Sequence, residues 1–252
     1  MNIIMKSLRS IFARIWAGWA ALVFVCTMLI FLIPFLLFCY YRREPSKTYR
    51  FVAYIRIWMT VFLNLIGCPL TIRGRSNFQK GENYIVLCNH NSLMDVPVSS
   101  PSIPGGNKTI AKTEMARIPL FGLLYETGSV LVDRKSDASR KESFSKMKAV
   151  LAMGLHMCIY PEGTRNKTNA PLKSFHSGAF RLAIDSGKSI IPALIFNSRK
   201  VLPADKSFYL LPHPLAIHFL PPVAAEQMDT PDSLRQRVAA IMREYYLKQQ
   251  GN

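Results

Sequence analysis

From Ile15 to Tyr41 the chain carries no charged residue, with Lys6, Arg9 and Arg14 before the run and Arg42 and Arg43 after it. About 20 apolar residues cross the hydrocarbon core of a bilayer as a helix, so this run is long enough to span one. It ends in Phe38-Cys39-Tyr40-Tyr41 rather than in small residues, and it exceeds the roughly 7–15 apolar residues of a cleaved signal. A retained anchor is expected. A second apolar stretch, Phe51 to Ile66, is interrupted by Arg56 and Asn64 and closed by Gly67-Cys68-Pro69. Three placements fit it: in the membrane interface, as the returning arm of a helical hairpin bent at Pro34, or as a helix packed on the domain that follows.

After Pro69 short apolar runs alternate with amphipathic ones. Tyr84 to Cys88, Thr109 to Ala111, Ser129 to Val132, Met157 to Tyr160 and Ile190 to Phe196 have the pattern of buried strands. Ser136 to Leu155 and Gly178 to Ser186 have that of helices, the first with Phe144, Met147, Val150 and Leu151 on one face. Near the end, Thr230-Pro231-Asp232 starts a helix whose apolar face is Leu234, Val238, Ile241 and Tyr245. The alternation predicts an α/β fold, a central mixed and largely parallel sheet flanked by helices, behind an N-terminal membrane-associated helix or hairpin. The expected division is residues 1–68 as the membrane-anchoring helical segment and 69–252 as the catalytic domain.

The formal net charge of +17 suits either nucleic acid or an anionic membrane surface. The long apolar segment decides for membrane lipid, and no nucleic acid is expected as a partner. Cys26, Cys39, Cys68, Cys88 and Cys158 are widely spaced and form no Cys-x-x-Cys pair, so they read as free thiols.

The strand at Tyr84 runs into Asn89-His90-Asn91-Ser92-Leu93-Met94-Asp95. On an ideal helix His90 and Asp95 would point about 140° apart, so they meet only if His90 lies on a turn and Asp95 in the first turn of a following helix. In that case imidazole is a general base near neutrality, able to activate a hydroxyl, and the carboxylate orients it. The alternative is that Ser92-x-x-Asp95 merely caps a helix and His90 is a loop residue. No Gly-x-Ser-x-Gly motif offers an enzyme nucleophile, so direct attack by a substrate hydroxyl is the simplest chemistry. Tyr160-Pro161-Glu162-Gly163-Thr164-Arg165 passes from a strand end into a turn, where Arg165 can grip a phosphate, or else pair with Glu162. Gly128 to Arg134 delivers Arg134 to the same end of the sheet, either for a ligand or as a solvated pair with Asp133. In Ile191-Pro192-Ala193 a proline starts a strand, which is often an edge feature.

The four motifs, in this order across about Leu70 to Pro222, resemble the 1-acylglycerol-3-phosphate acyltransferases of the wider glycerolipid acyltransferase group. The resemblance implies that His90 is the general base and Asp95 its partner. It also implies that Arg134, Glu162, Gly163, Thr164 and Arg165 form an acceptor-phosphate site. Pro192 would belong to a segment shaping the donor side, and Lys112 would stand near the reacting carbonyl. Acyl-CoA or acyl-carrier protein is then the donor and a lysophospholipid the acceptor, with no metal or other cofactor required. A lyso-ornithine or lyso-glycine lipid is the alternative acceptor. The implied location is the membrane, with the catalytic domain on the cytoplasmic face, although charges at both flanks of the anchor give no independent orientation. Tyr160 and His176 depart from the family pattern, which has Phe and often a basic residue at these places.

Overall fold

The charge-free run folds as one long helix, α1 (Ile3–Phe35), prolonged by a π-helical turn at Leu36–Tyr40. The structure is a computed structural model that describes residues 3–133, 136–168 and 170–250. Pro34 lies just before the π turn, where its missing N–H and its ring disturb the regular ladder. Helix α2 (Ser46–Leu65) then returns antiparallel to α1. The pair is stitched by indole donors, Trp16 Nε1 to Ile66 O at 3.0 Å and Trp58 Nε1 to Thr27 Oγ1 at 2.9 Å. The second apolar stretch is thus both a hairpin arm and a helix packed on the rest of the chain.

Among the described residues, Ile4–Tyr40 is the one helical segment long and apolar enough to cross a membrane, by length and composition, with a mean hydropathy of 2.9. Two rows of side chains explain its shape. Ala17, Ala20, Val23, Met28, Leu32 and Phe35 are buried inward, whereas Ile15, Leu22, Val25, Ile30, Ile33 and Leu37 are exposed. Helix α2 adds Ile57, Val61 and Leu65 to the exposed apolar face.

The sheet has seven strands in the order β1 (Leu70–Arg73), β7 (Leu215–Phe219), β6 (Ile190–Phe196), β2 (Ile85–Cys88), β5 (His156–Ile159), β3 (Asn107–Lys112) and β4 (Ser129–Val132). Every pairing is parallel except β6 with β7, so β1 and β7 run against the other five. Side chains alternate across it with the period of two that a strand imposes. Val86 and Cys88 of β2, with Ile191, Ala193 and Ile195 of β6, join the core under the hairpin, α3 (Asp95–Ser102) and α4 (Phe121–Thr127). Ile85, Leu87, Ile190 and Leu194 face the opposite core, closed by α5 (Asp137–Ala152), α6 (Gly178–Ser186) and α8 (Pro231–Gln250). The result is a three-layer α/β fold.

Two details differ from the pattern reading. Strands β1 and β7 are absent from the pattern reading, Leu70–Arg73 having only two apolar residues and Leu215–Phe219 being interrupted by His218; β1 pairs with β7, and β7 with β6. Pro192 lies inside a central strand rather than at an edge. It sits between the Ile190–Val223 bridge and the point where β6 resumes pairing with β7 at Ala193–Phe219, a break in the ladder that spares the missing N–H. The hairpin packs on the sheet through one continuous core.

Deleting residues 1–43 removes the cover from Trp58, Met59, Phe62 and Leu63 of α2, which are all buried. Each large apolar side chain is worth about 1.5–3 kcal/mol on burial, against a total stability of about 5–15 kcal/mol. The truncated chain is expected to aggregate rather than give a soluble domain, which size-exclusion chromatography of detergent-free material will show. A monodisperse, folded fragment would refute this.

Candidate active site

Strand β2 ends at Cys88, and the next side chain continues the ladder in place of the backbone. Asn89 is buried, its Oδ1 accepting from Ile195 N at 2.7 Å and its Nδ2 donating to Ile195 O at 3.0 Å. The main chain is then free to turn through His90 and enter α3. Asp95 opens that helix, fully buried. Its Oδ2 accepts from His90 Nδ1 at 2.9 Å, Asn91 N at 2.6 Å and Ser92 N at 2.7 Å. Ser92 Oγ in turn accepts from Met94 N at 3.0 Å and donates to Leu202 O at 2.6 Å. Cap and imidazole partner are therefore not alternatives; the same oxygen serves both. A carboxylate against Nδ1 keeps the imidazole proton there and leaves the Nε2 lone pair for an incoming group. Asp95 Oδ1 is buried without a hydrogen-bond partner.

Helix α3 also holds the face of the ring. The His90 imidazole stacks on Tyr160 with ring centroids 4.4 Å apart, and Tyr160 Oη pairs with Ser99 Oγ, one turn beyond Asp95, at 2.7 Å. Burial pushes the Tyr160 hydroxyl well above its ordinary value, so it stays neutral. At the other end of α3, Arg56 of α2 donates to Pro101 O at 2.8 Å and Ile103 O at 3.0 Å, and Arg75 donates to Ser102 O at 3.1 Å. In the strands that lead to the site, contact with the Cys158 thiol at 3.9 Å, together with burial, holds the Cys88 thiol well above its usual value, which leaves it unreactive.

The turn after β5 closes the site from the other side. Glu162 is 2% exposed, with Oε1 accepting from His90 N at 2.7 Å and Oε2 from Lys173 N at 2.9 Å. Burial pushes its carboxyl above the ordinary range, and the two amide donors pull it back. It forms no pair with Arg165. Gly163 has φ +70°, so the backbone requires glycine, and a Cβ there would stand 2.7 Å from the exposed His176 ring. Thr164 Oγ1 accepts from Lys173 Nζ at 2.7 Å, and Asn166 N donates to His90 O at 2.6 Å. Arg165 is half-buried and has no ion pair among the described residues.

Because β2, β5, β3 and β4 are parallel, His90, Glu162 to Arg165 and Lys112 all follow or end strands at the carboxyl edge of the sheet. Lys112 is exposed there, and Pro192 is buried within β6. Arg134 lies outside the described residues. Among the described residues no group of three or more His, Cys, Asp or Glu gathers as a metal site. Sequence reasoning passed over Asn89, Ser99, Lys173 and the two arginines behind α3. Arg56 carried a signal, since a guanidinium in an otherwise apolar helix has to find acceptors.

An acyltransferase family model matches residues 69–196, from the start of the sheet through β6. The chain belongs to the acyltransferase family. A relative from Cocos nucifera, a 1-acyl-sn-glycerol-3-phosphate acyltransferase, is 32% identical over 66% of this chain and 53% of its own length. The alpha form of the same enzyme in Mus musculus is 29% identical, over 71% of this chain and 66% of its own. The chain thus spans about half to two thirds of these two relatives. The alpha form in Homo sapiens is 26% identical over 91% and 93%. Among solved structures, the 1-acyl-sn-glycerophosphate acyltransferase PlsC from Thermotoga maritima superimposes with a TM-score of 0.80 at 20% identity, covering 98% of each chain. That likeness establishes the fold of the acyltransferase, hairpin included.

Glu162→Gln leaves one of two backbone amides, His90 N or Lys173 N, facing an amide NH₂ instead of an acceptor. An unpaired buried donor costs about 1–3 kcal/mol. The substitution is expected to lower unfolding stability by that amount, measured by denaturant titration in detergent. No change would show that the carboxylate does not hold the turn.

Proposed function

We propose that this acyltransferase moves a fatty acyl group from acyl-CoA or acyl-carrier protein to the free hydroxyl of 1-acylglycerol-3-phosphate, forming phosphatidic acid at the membrane. The observation that carries the reading is the oriented His90–Asp95 pair, with a guanidinium free of ion pairs among the described residues, Arg165, on the same edge of the sheet. His90 Nε2 takes the hydroxyl proton as that oxygen attacks the thioester carbonyl. A tetrahedral oxyanion forms, steadied by backbone amides and by Lys112. It collapses with cleavage of the carbon–sulfur bond, and the proton on His90 passes to the departing thiolate. The imidazolium that exists between these steps is stabilised by Asp95 through the 2.9 Å contact. Gly163, Thr164 and Arg165 receive the acceptor phosphate, with Arg134 as a further contact and Lys173 as a second cation beside Thr164. Glu162 serves by supporting that turn and the His90 backbone. Pro192 contributes through the course of β6 on the donor side. The exposed apolar face of the hairpin supports anchorage in the bilayer that supplies the acceptor.

Asp95→Asn is the cleanest probe of the base. An asparagine oxygen can keep all three hydrogen bonds, so the fold is expected to survive, but the charge that stabilises the imidazolium is lost. Turnover should fall by about 10²–10⁴-fold, as should that of His90→Ala. Losses under tenfold in both, with labelled acyl-CoA and lysophosphatidate, would remove the assignment.

Arg165→Lys tests the acceptor, because a two-pronged donor becomes a point charge. A charged hydrogen bond worth about 1.5–3 kcal/mol predicts a rise in apparent KM for lysophosphatidate of about tenfold or more. Transfer to a phosphate-free lyso-ornithine or lyso-glycine lipid should change little. Equal losses on both acceptors would make the arginine structural and favour the aminolipid reading.

A further inference from the structure

A second anion-seeking feature lies away from His90. Between the first turns of α1 and the segment after β6 runs a cleft of about 400 Å³, lined by Lys6, Arg9, Arg199, Lys200, Lys206 and Tyr209. None of its lining residues is acidic. The walls are fixed to each other. Leu210 N donates to Ala13 O of α1 at 3.1 Å, and the Lys206 ammonium lies 4.4 Å from the centre of the Tyr209 ring. Arg199 is held by the carbonyls of Lys167 and Thr168, so one side of its guanidinium is occupied while it still lines the cleft. Five cations lining one cleft repel one another, and a bound anion removes that repulsion.

The position of the cleft says which anion. On the same turns as Lys6 and Arg9, α1 exposes Ile4, Met5, Leu8, Ile11 and Phe12, and the charge-free run begins at Ile15. Here charge gives way to hydrocarbon along a single helix, which is the profile of a bilayer interface. A ligand with a phosphate at one end and acyl chains at the other meets a complement to both.

We propose that this cleft binds the phosphate of an anionic phospholipid from the surrounding bilayer, at a site separate from the acceptor turn. The short helix α7 (Ser198–Val201) forms part of its wall, and Leu202 at the end of that helix accepts the hydrogen bond of Ser92 beside the catalytic pair. A lipid held there fixes the wall on which the His90 turn leans.

The test is lipid retention by the full-length chain in neutral-detergent micelles containing phosphatidylglycerol or phosphatidylcholine, read by native mass spectrometry. The wild type is expected to keep phosphatidylglycerol and release phosphatidylcholine. A cation near an anionic surface is worth about fivefold in affinity, so Lys6→Gln with Arg9→Gln and Lys206→Gln should weaken retention by about a hundredfold. Lys80→Gln with Lys141→Gln and Lys248→Gln removes the same charge elsewhere and should leave retention intact. Arg9→Gln alone, weaker by about fivefold, serves if the triple variant does not fold. Equal loss in the control would mean diffuse charge only, and equal retention of both lipids would mean no headgroup site. Displacement by inorganic phosphate would mean a free-phosphate site, and displacement by coenzyme A a donor site. Any of these four results overturns the proposal. Because the readout is retention and not turnover, it stands apart from the acceptor assignment.

Discussion

Three N–H groups, from His90 Nδ1 and the backbones of Asn91 and Ser92, converge on one buried carboxylate oxygen, Asp95 Oδ2. Much of the molecule is arranged to satisfy that oxygen. The turn must leave β2 so that three donors point inward, which requires Asn89 to continue the strand pairing with its side chain. The helix must begin at Asp95, so that the same carboxylate reaches back to the amides of Asn91 and Ser92 in the turn that precedes it. The ring must then be held by its face, because a hydrogen bond at Nδ1 fixes a direction and not a plane. Tyr160 supplies the face, and Ser99 of the same helix holds Tyr160 in place.

The short helix α3 is thereby polarised in the sense of its own dipole. A carboxylate stands at its amino end and two guanidiniums, Arg56 and Arg75, stand at its carboxyl end, bonded to the carbonyls that a helix terminus leaves unpaired. Sequence alone offers little to predict a helix here, for Asp95 to Ser102 holds two prolines and three serines. Tertiary contacts at both ends form it in spite of its propensity.

That explains which parts were legible. Strands buried on both faces, such as Ile190 to Phe196, show as continuous apolar runs, and α6 is legible from Gly178 to Ser186 because its periodicity is strong. Strands β1 and β7 are paired in reverse sense at one edge of the sheet, and nothing local in Leu70–Arg73 foretells a partner 145 residues further on at Leu215. At the site, the spacing of His90 and Asp95 left cap and partner as rival readings, because a one-dimensional pattern cannot show that one atom accepts from both groups. Glu162 and Arg165 looked like a possible pair, and only the fold shows each carboxylate oxygen of Glu162 taken by a backbone amide. The Tyr160 hydroxyl, seen in sequence as a departure from pattern, finds its reason in Ser99.

The grip of Arg56 on the end of α3 has a consequence for the history of such a chain. A membrane anchor attached by a linker can be exchanged for any other helix of similar length. This one cannot, since an unrelated hairpin would have to bring a new donor to Pro101 and Ile103 at the same depth, as well as a surface that fits Val98 and Leu124. Changes in the hairpin and in the strand-end machinery must therefore be accepted together or not at all, and recombination between distant variants at the hairpin boundary should yield dead chimeras.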